Sequence, residues 1–253
     1  MNKKIAVCIS GQPRFLELGH KYLKANFLDL NDCDVFIHSW FDKAELEGSG
    51  YGGDFFLDKD SDKKIVELYS PISKVIEPQK EVGPGWGSVK AGDRAATMIF
   101  AQYSMLYSAL QANELKKKYE EENNFSYDIV VRTRFDTALL EPLVISDVPE
   151  KTVVAIDAID NDRRLCDWLY YTDSKAMDFI CQSYHELDEY KKSLKTFCGE
   201  EVLWDKILKL EYDTEKKFPK QRGENLVLIR QSRGGSRCWR YHGDLPAISG
   251  AVE

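Results

Sequence analysis

The chain has 253 residues, 43% of them hydrophobic and 30% charged, a composition that excludes a disordered or fibrous polymer and predicts a packed core. At this length a single domain is the default. A formal charge of -7 at pH 7 repels a phosphate backbone at long range, so nucleic acid is excluded as the main partner and any anion site must be local.

The first element is "KKIAVCIS", a β-rich run that breaks at "GQPR", where Gly11 and Pro13 mark a turn before the helical segment "FLELGHKYLKANFL". Its apolar stretch of about six residues is shorter than a signal-peptide core. No run approaches the roughly 20 residues of a membrane span. A cytoplasmic protein is therefore expected, with peripheral attachment to a membrane left open. The second apolar run, "CDVFIHSW", completes a β-α-β pattern, which predicts an α/β fold with a mostly parallel sheet. From Phe41 to Gly92, "EGSGYGG" and "EVGPGWGS" bracket a strand-like "SKVIEP", and the density of Gly and Pro predicts exposed loops over the sheet edge.

Apolar residues at Met98, Ile99, Met105, Leu106, Ala109, Leu110 and Leu115 predict a helix from Arg94 to about Glu122. The strand "YDIVVRTRFDTALL" follows, then a strand "TVVAID". A helix is expected from about Lys175 to Tyr190, another in "EEVLWDKILKLEY" after Gly199, and a last strand in "ENLVLIR". The six cysteines show no CxxC spacing, which disfavours zinc and a redox pair; most are expected reduced and buried.

Ligands of open α/β sheets bind beyond the carboxyl ends of the strands, and three segments put polar groups there: "SGQPR", "RTRFD" and "GEE". In "RTRFD", strand alternation places Arg132, Arg134 and Asp136 on one side and Thr133 and Phe135 on the other. This is either a buried ion-pair cluster or a polyanion site. In the second reading arginine forks hold a diphosphate and Asp136 holds a divalent cation bridging it.

The combination of "IAVCISGQPR", "DVFIHSW", "AQYSMLYSAL", "YDIVVRTRFD" and a late "GEE" resembles GT-A type glycosyltransferases that build bacterial and viral surface polysaccharides. The resemblance implies a Rossmann-type α/β/α sandwich forming one domain over 1–253. About 1–140 would bind the nucleotide sugar, and about 141–253 the acceptor together with a C-terminal tail. It implies that Asp136 stands where the last aspartate of a DxD motif binds Mn²⁺ or Mg²⁺; the first position of that motif is here Arg134. It also implies nucleotide contacts from Gly11, Gln12 and Arg14, which otherwise read as a Pro-containing turn, and from His38, which otherwise caps the sheet. Glu200 and Glu201 become candidate bases, with Asp205 behind them; the alternative is a favourable helix-dipole interaction. His242 is the candidate that closes the metal site.

A literal DxD, Asp160-Asn161-Asp162, reads mainly as a polar turn. "GPGWGS" suits a lid with one aromatic for a sugar face, or a passive loop. Arg230, Arg233, Arg237 and Arg240 form a basic tail that suits phosphates, an anionic acceptor or a membrane surface. The expected activity is sugar transfer from a nucleotide-diphosphate donor to a hydroxyl of a glycan acceptor. A nucleotidyltransferase acting on sugar phosphates and a non-catalytic nucleotide- or glycan-binding module are the alternatives.

Overall fold

The computed structural model describes residues 3–50, 53–84, 94–155, 166–194, 198–216, 225–230 and 239–248. In chain order the first elements are β1 (Ile5–Gly11), α1 (Leu16–Asn26), β2 (Cys33–Trp40), β3 (Glu47–Gly50), β4 (Gly53–Phe56), α2 (Ser61–Tyr69) and β5 (Ser73–Glu77). The middle of the chain supplies α3 (Arg94–Asn123), β6 (Ile129–Thr133), β7 (Thr137–Leu139), β8 (Thr152–Ala155) and β9 (Tyr170–Thr172). It ends with α4 (Ser174–Cys181), α5 (Leu187–Ser193), α6 (Gly199–Leu210), β10 (Asp213–Lys216), β11 (Leu226–Arg230) and β12 (Trp239–Tyr241).

A central sheet of seven strands runs in the order β10-β8-β9-β6-β1-β2-β5 and is flanked by helices, the α/β/α arrangement expected from the sequence. Only β9 runs against its neighbours, β6 and β8. β1 lies between β2 and β6 and is parallel to both. Covered on both faces, it is buried from Ile5 to Ser10, which is why its sequence is a continuous apolar run rather than an alternating one. A small second sheet, β12-β11-β7, docks beside the end of β6.

The order of connections positions the site. From β1 the chain steps outward through β2 to the edge strand β5, and then α3 carries it back so that β6 pairs with the opposite flank of β1. The loops after β1 and β6 therefore diverge at a topological switch point, the crevice where open α/β sheets take ligands.

Three sequence expectations change. The stretch read as exposed loops contains α2, whose Ile65 and Tyr69 are buried, and β5 is a member of the central sheet. The helix expected from Lys175 to Tyr190 is α4, a 3-10 segment (Gln182–Glu186) and α5. The strand carrying "RTRFD" ends at Thr133, so Arg134, Phe135 and Asp136 form a turn between β6 and β7.

The long helix α3 matches its expected span, but its buried face is partly polar. Ser104, Ser108, Asn113, Lys116 and Glu120 are buried alongside Phe100, Tyr103 and Leu110, whereas Met98 is exposed. Lys116 is fully enclosed and donates to Glu120 Oε2 (2.9 Å), Asp178 Oδ1 (2.8 Å) and Ser174 Oγ (2.6 Å), which ties α3 to α4. Five described cysteines are free thiols, with Cys8, Cys166 and Cys181 buried. No described helix is long and apolar enough to cross a membrane.

Candidate functional site

The strand alternation of "RTRFD" holds only as far as Thr133, and this separates the residues it was expected to align. Arg132 is still on the strand, opposite Cys8 of β1, so it faces α3, whose Ala112 carbonyl accepts from the Cys8 thiol. Its Nη1 donates to the main-chain carbonyl of Asp167. Arg134 leaves the strand and turns back on Asp136 in a two-pronged pair, Nε to Oδ1 at 2.8 Å and Nη2 to Oδ2 at 2.9 Å. The turn is held from within by Thr137 Oγ1, which donates to the Arg134 carbonyl at 2.9 Å, and from β11 by the Ile229 amide, which donates to the Asp136 carbonyl at 2.9 Å.

That second bond places β11 so that its last residue, Arg230, reaches the same carboxylate, Nη1 to Oδ2 at 3.0 Å. Arg14, from the "GQPR" loop after β1, brings Nη2 to within 3.2 Å of Oδ2. Three guanidiniums from three separate segments thus converge on one carboxylate at the switch point between β1 and β6. Of the residues expected to act together, Arg14, Arg134 and Asp136 are brought into one cluster, Arg132 is held apart on the α3 face, and Arg230 joins from the basic tail.

Burial opposes the charge on Asp136, but Arg134, Arg14 and Arg230 outweigh it and hold the carboxyl well below the usual carboxylate range. Arg134 is also penalised by burial, and its paired bonds to Asp136 more than offset this, so it holds its proton more tightly than a free arginine. Arg14 behaves differently: burial, together with Arg134 and Arg230 nearby, outweighs Asp136 and lowers it to about 10. Arg230 is lowered for the same reasons. The Arg14 and Arg230 nitrogens share one oxygen and so lie within about 6 Å of each other, a repulsion of roughly 3 kcal/mol at an effective dielectric constant near 20. Asp136 thus meets all three guanidiniums, which stand close enough to repel one another.

The other expected contacts distribute as follows. Gly11 has φ +116°, a conformation glycine accepts at little cost, and the position of its absent side chain is open space. Gln12 donates to Gln79 Oε1 at 3.4 Å and so leans toward the end of β5, away from the arginines. His38 is fully buried, its Nδ1 2.7 Å from Ser108 Oγ and its Nε2 3.1 Å from Glu77 Oε1, with its ring edge-on to Trp40 and Tyr107. Burial lowers its pKa despite the Glu77 bond. Ser10, one residue past the Ile9–Thr133 pairing, is buried, and its hydroxyl has no hydrogen-bond partner among the described residues.

The helix that starts at Gly199 puts Glu200 and Glu201 in its first turn. A link to the arginines comes through Asp167, a residue the sequence reading did not single out. A methyl group on Gly199 would stand 2.4 Å from Asp167 Oδ2, so only glycine lets this carboxylate lie against the start of α6. The same carboxylate attracts Arg134. Asp167 therefore lies against the start of α6 and within electrostatic reach of Arg134. Its isolated position among apolar residues in "CDWLYY" was the one available sequence signal.

The residues at Asp136 do not suit a divalent cation. Both carboxylate oxygens already accept from guanidiniums, and the side chain keeps 2% exposure at the base of three positive groups. Among the described residues no group of three or more His, Cys, Asp or Glu is arranged to hold a metal ion. His242 opens a single 3-10 turn, His242–Asp244, and its side chain lies outside the described residues. Asp160-Asn161-Asp162, Arg233, Arg237, the side chain of Arg240 and most of "GPGWGS" also lie outside them. No protein-family model matches the chain, and no curated protein matches it.

Proposed function

We propose that the chain is a glycosyltransferase that takes a sugar from a nucleotide-diphosphate donor and passes it to a hydroxyl of a glycan acceptor. The observation that carries this reading is the convergence of Arg14, Arg134 and Arg230 at the switch point of a mostly parallel sheet. Sugar transfer leaves charge on the departing diphosphate, and preorganised donors aimed at that charge are the largest catalytic contribution such a site supplies. Guanidinium forks match phosphate oxygens in geometry and keep their charge when buried.

The acceptor hydroxyl must lose its proton as it attacks. Glu201 and Glu200, in the first turn of α6 and linked to the arginines through Asp167, are the groups assigned to receive it. His38 and its Glu77–Ser108 bonds support the carboxyl end of β2 from beneath rather than touching the donor.

Incubation of the protein with a panel of UDP- and GDP-sugars tests the reading. Release of UDP or GDP, faster with a glycan acceptor present, supports it. A nucleotidyltransferase would instead release pyrophosphate from a nucleoside triphosphate and a sugar phosphate, and a binding module would release nothing.

A further inference from the structure

A GT-A type resemblance carries the expectation that the donor diphosphate reaches the protein through a divalent cation on an aspartate. The side chains around Asp136 oppose that role. Its oxygens are occupied by Arg134 on both, with Arg230 and Arg14 on Oδ2. Within the described cluster the more exposed members are cationic: the side chains of Arg14 and Arg134 are 15% and 17% exposed, against 7% for Arg230 and 2% for Asp136. Arg134 uses two of its five N–H donors on Asp136, and its fixed planar fork leaves the others directed elsewhere.

We propose that Arg14, Arg134 and Arg230 form a cation-independent diphosphate site, in which the guanidiniums hold the two phosphate groups directly and Asp136 serves as a positioning residue that keeps them converged. The identity of the ligand rests on the transferase reading above, whereas the anion site rests on the cluster itself. The physical reason is that both Asp136 oxygens are already taken by guanidiniums, whose forks match phosphate oxygens directly, while a divalent cation brought among them would be repelled.

Isothermal titration of the 253-residue protein with inorganic pyrophosphate, first in EDTA and then in Mn²⁺, tests this. Binding in EDTA is expected, unchanged or weakened by Mn²⁺. Arg134→Gln and Arg14→Gln, at the partly exposed positions, should each weaken it about tenfold or more while leaving the melting temperature close to that of the parent. Asp136→Asn should weaken it in EDTA and in Mn²⁺ alike, since its role is alignment. Binding that requires Mn²⁺, binding in EDTA unaffected by both arginine variants, or no binding under either condition would each overturn the proposal. The two readings fail separately. Pyrophosphate binding without turnover of any sugar nucleotide removes the transferase and keeps the site; Mn²⁺-dependent turnover together with Mn²⁺-dependent pyrophosphate binding does the reverse.

Discussion

Two buried charge clusters in this protein are opposite in sign and in character. Around Lys116, one cation sits between two carboxylates, Glu120 and Asp178; around Asp136, one carboxylate sits among three guanidiniums. In the first, neutral donors absorb the acids' remaining capacity. Glu120 also accepts from the Tyr127 amide (2.7 Å), Ser174 (2.8 Å) and Ser126 (3.2 Å), and Asp178 from Asn113 (2.7 Å). Its cation is wholly enclosed between two helices. In the second, the described groups that meet the carboxylate are all cations, and its partly exposed members are Arg14 and Arg134. The first fastens α3 to α4; the second, at a strand-end crevice, presents guanidiniums where a counter-ion can meet them. Burying charge is costly in both, so their persistence needs a reason, and the reasons differ.

The largest expected effects break one cluster at a time. Lys116→Met strands Glu120 and Asp178 without their cation and should cost about 3–5 kcal/mol of stability by urea unfolding. Asp136→Ala strands three guanidiniums and should cost a comparable amount, so the loss of activity it causes comes with loss of stability. The comparison sharpens on adding pyrophosphate. Millimolar ligand should restore a substantial part of the stability of Asp136→Ala and none of that of Lys116→Met. Equal rescue of both, or of neither, would show that the clusters do not differ as argued.

Next in size is a change that leaves both clusters intact. Glu201→Gln should slow sugar transfer about a hundredfold while leaving donor affinity within a few-fold. Unchanged turnover with Glu200 and Glu201 both replaced would remove the base assignment.

The smallest effect concerns His38. Burial holds its pKa below the ordinary imidazole value, so the unfolded chain binds a proton that the folded one refuses. Its contribution is therefore complete above about pH 6.5 and declines as the pH falls from there toward the folded value. His38→Gln should flatten the pH dependence of the urea midpoint between about pH 7 and 5, and an unaltered slope would contradict it.

Much of this architecture was legible in the chain. Apolar runs such as "KKIAVCIS" and "CDVFIHSW", separated by a helical segment, specify parallel strands because only strands covered on both faces read that way. The span of α3 followed from apolar spacing, yet that spacing did not reveal its inner face. Buried Lys116, Ser108 and Asn113 are tolerated there because partners on other elements satisfy them, and those partners are distant in sequence. The same non-locality hid α2 within a stretch whose Gly and Pro read as loop, and hid that the strand-like "SKVIEP" joins the central sheet. At the site, charged residues after a β-run correctly marked the ends of β1 and β6, but alternation was carried three residues too far. A chain turning immediately after Thr133 swings Asp136 toward Arg14 and Arg230, a consequence of pairing with β11 that no local pattern encodes. Asp167 gave almost no signal for the same reason: its importance comes from Gly199 and Arg134, both remote in the chain.

The central claim is that the arginine cluster at the switch point serves transfer from a nucleotide-diphosphate sugar. The most direct measurement is release of nucleoside diphosphate from a panel of sugar nucleotides by the parent protein and by Arg134→Gln, in EDTA. Release from at least one donor by the parent is expected, reduced about tenfold or more in the variant. Release from none, or equal release by both proteins, would contradict it.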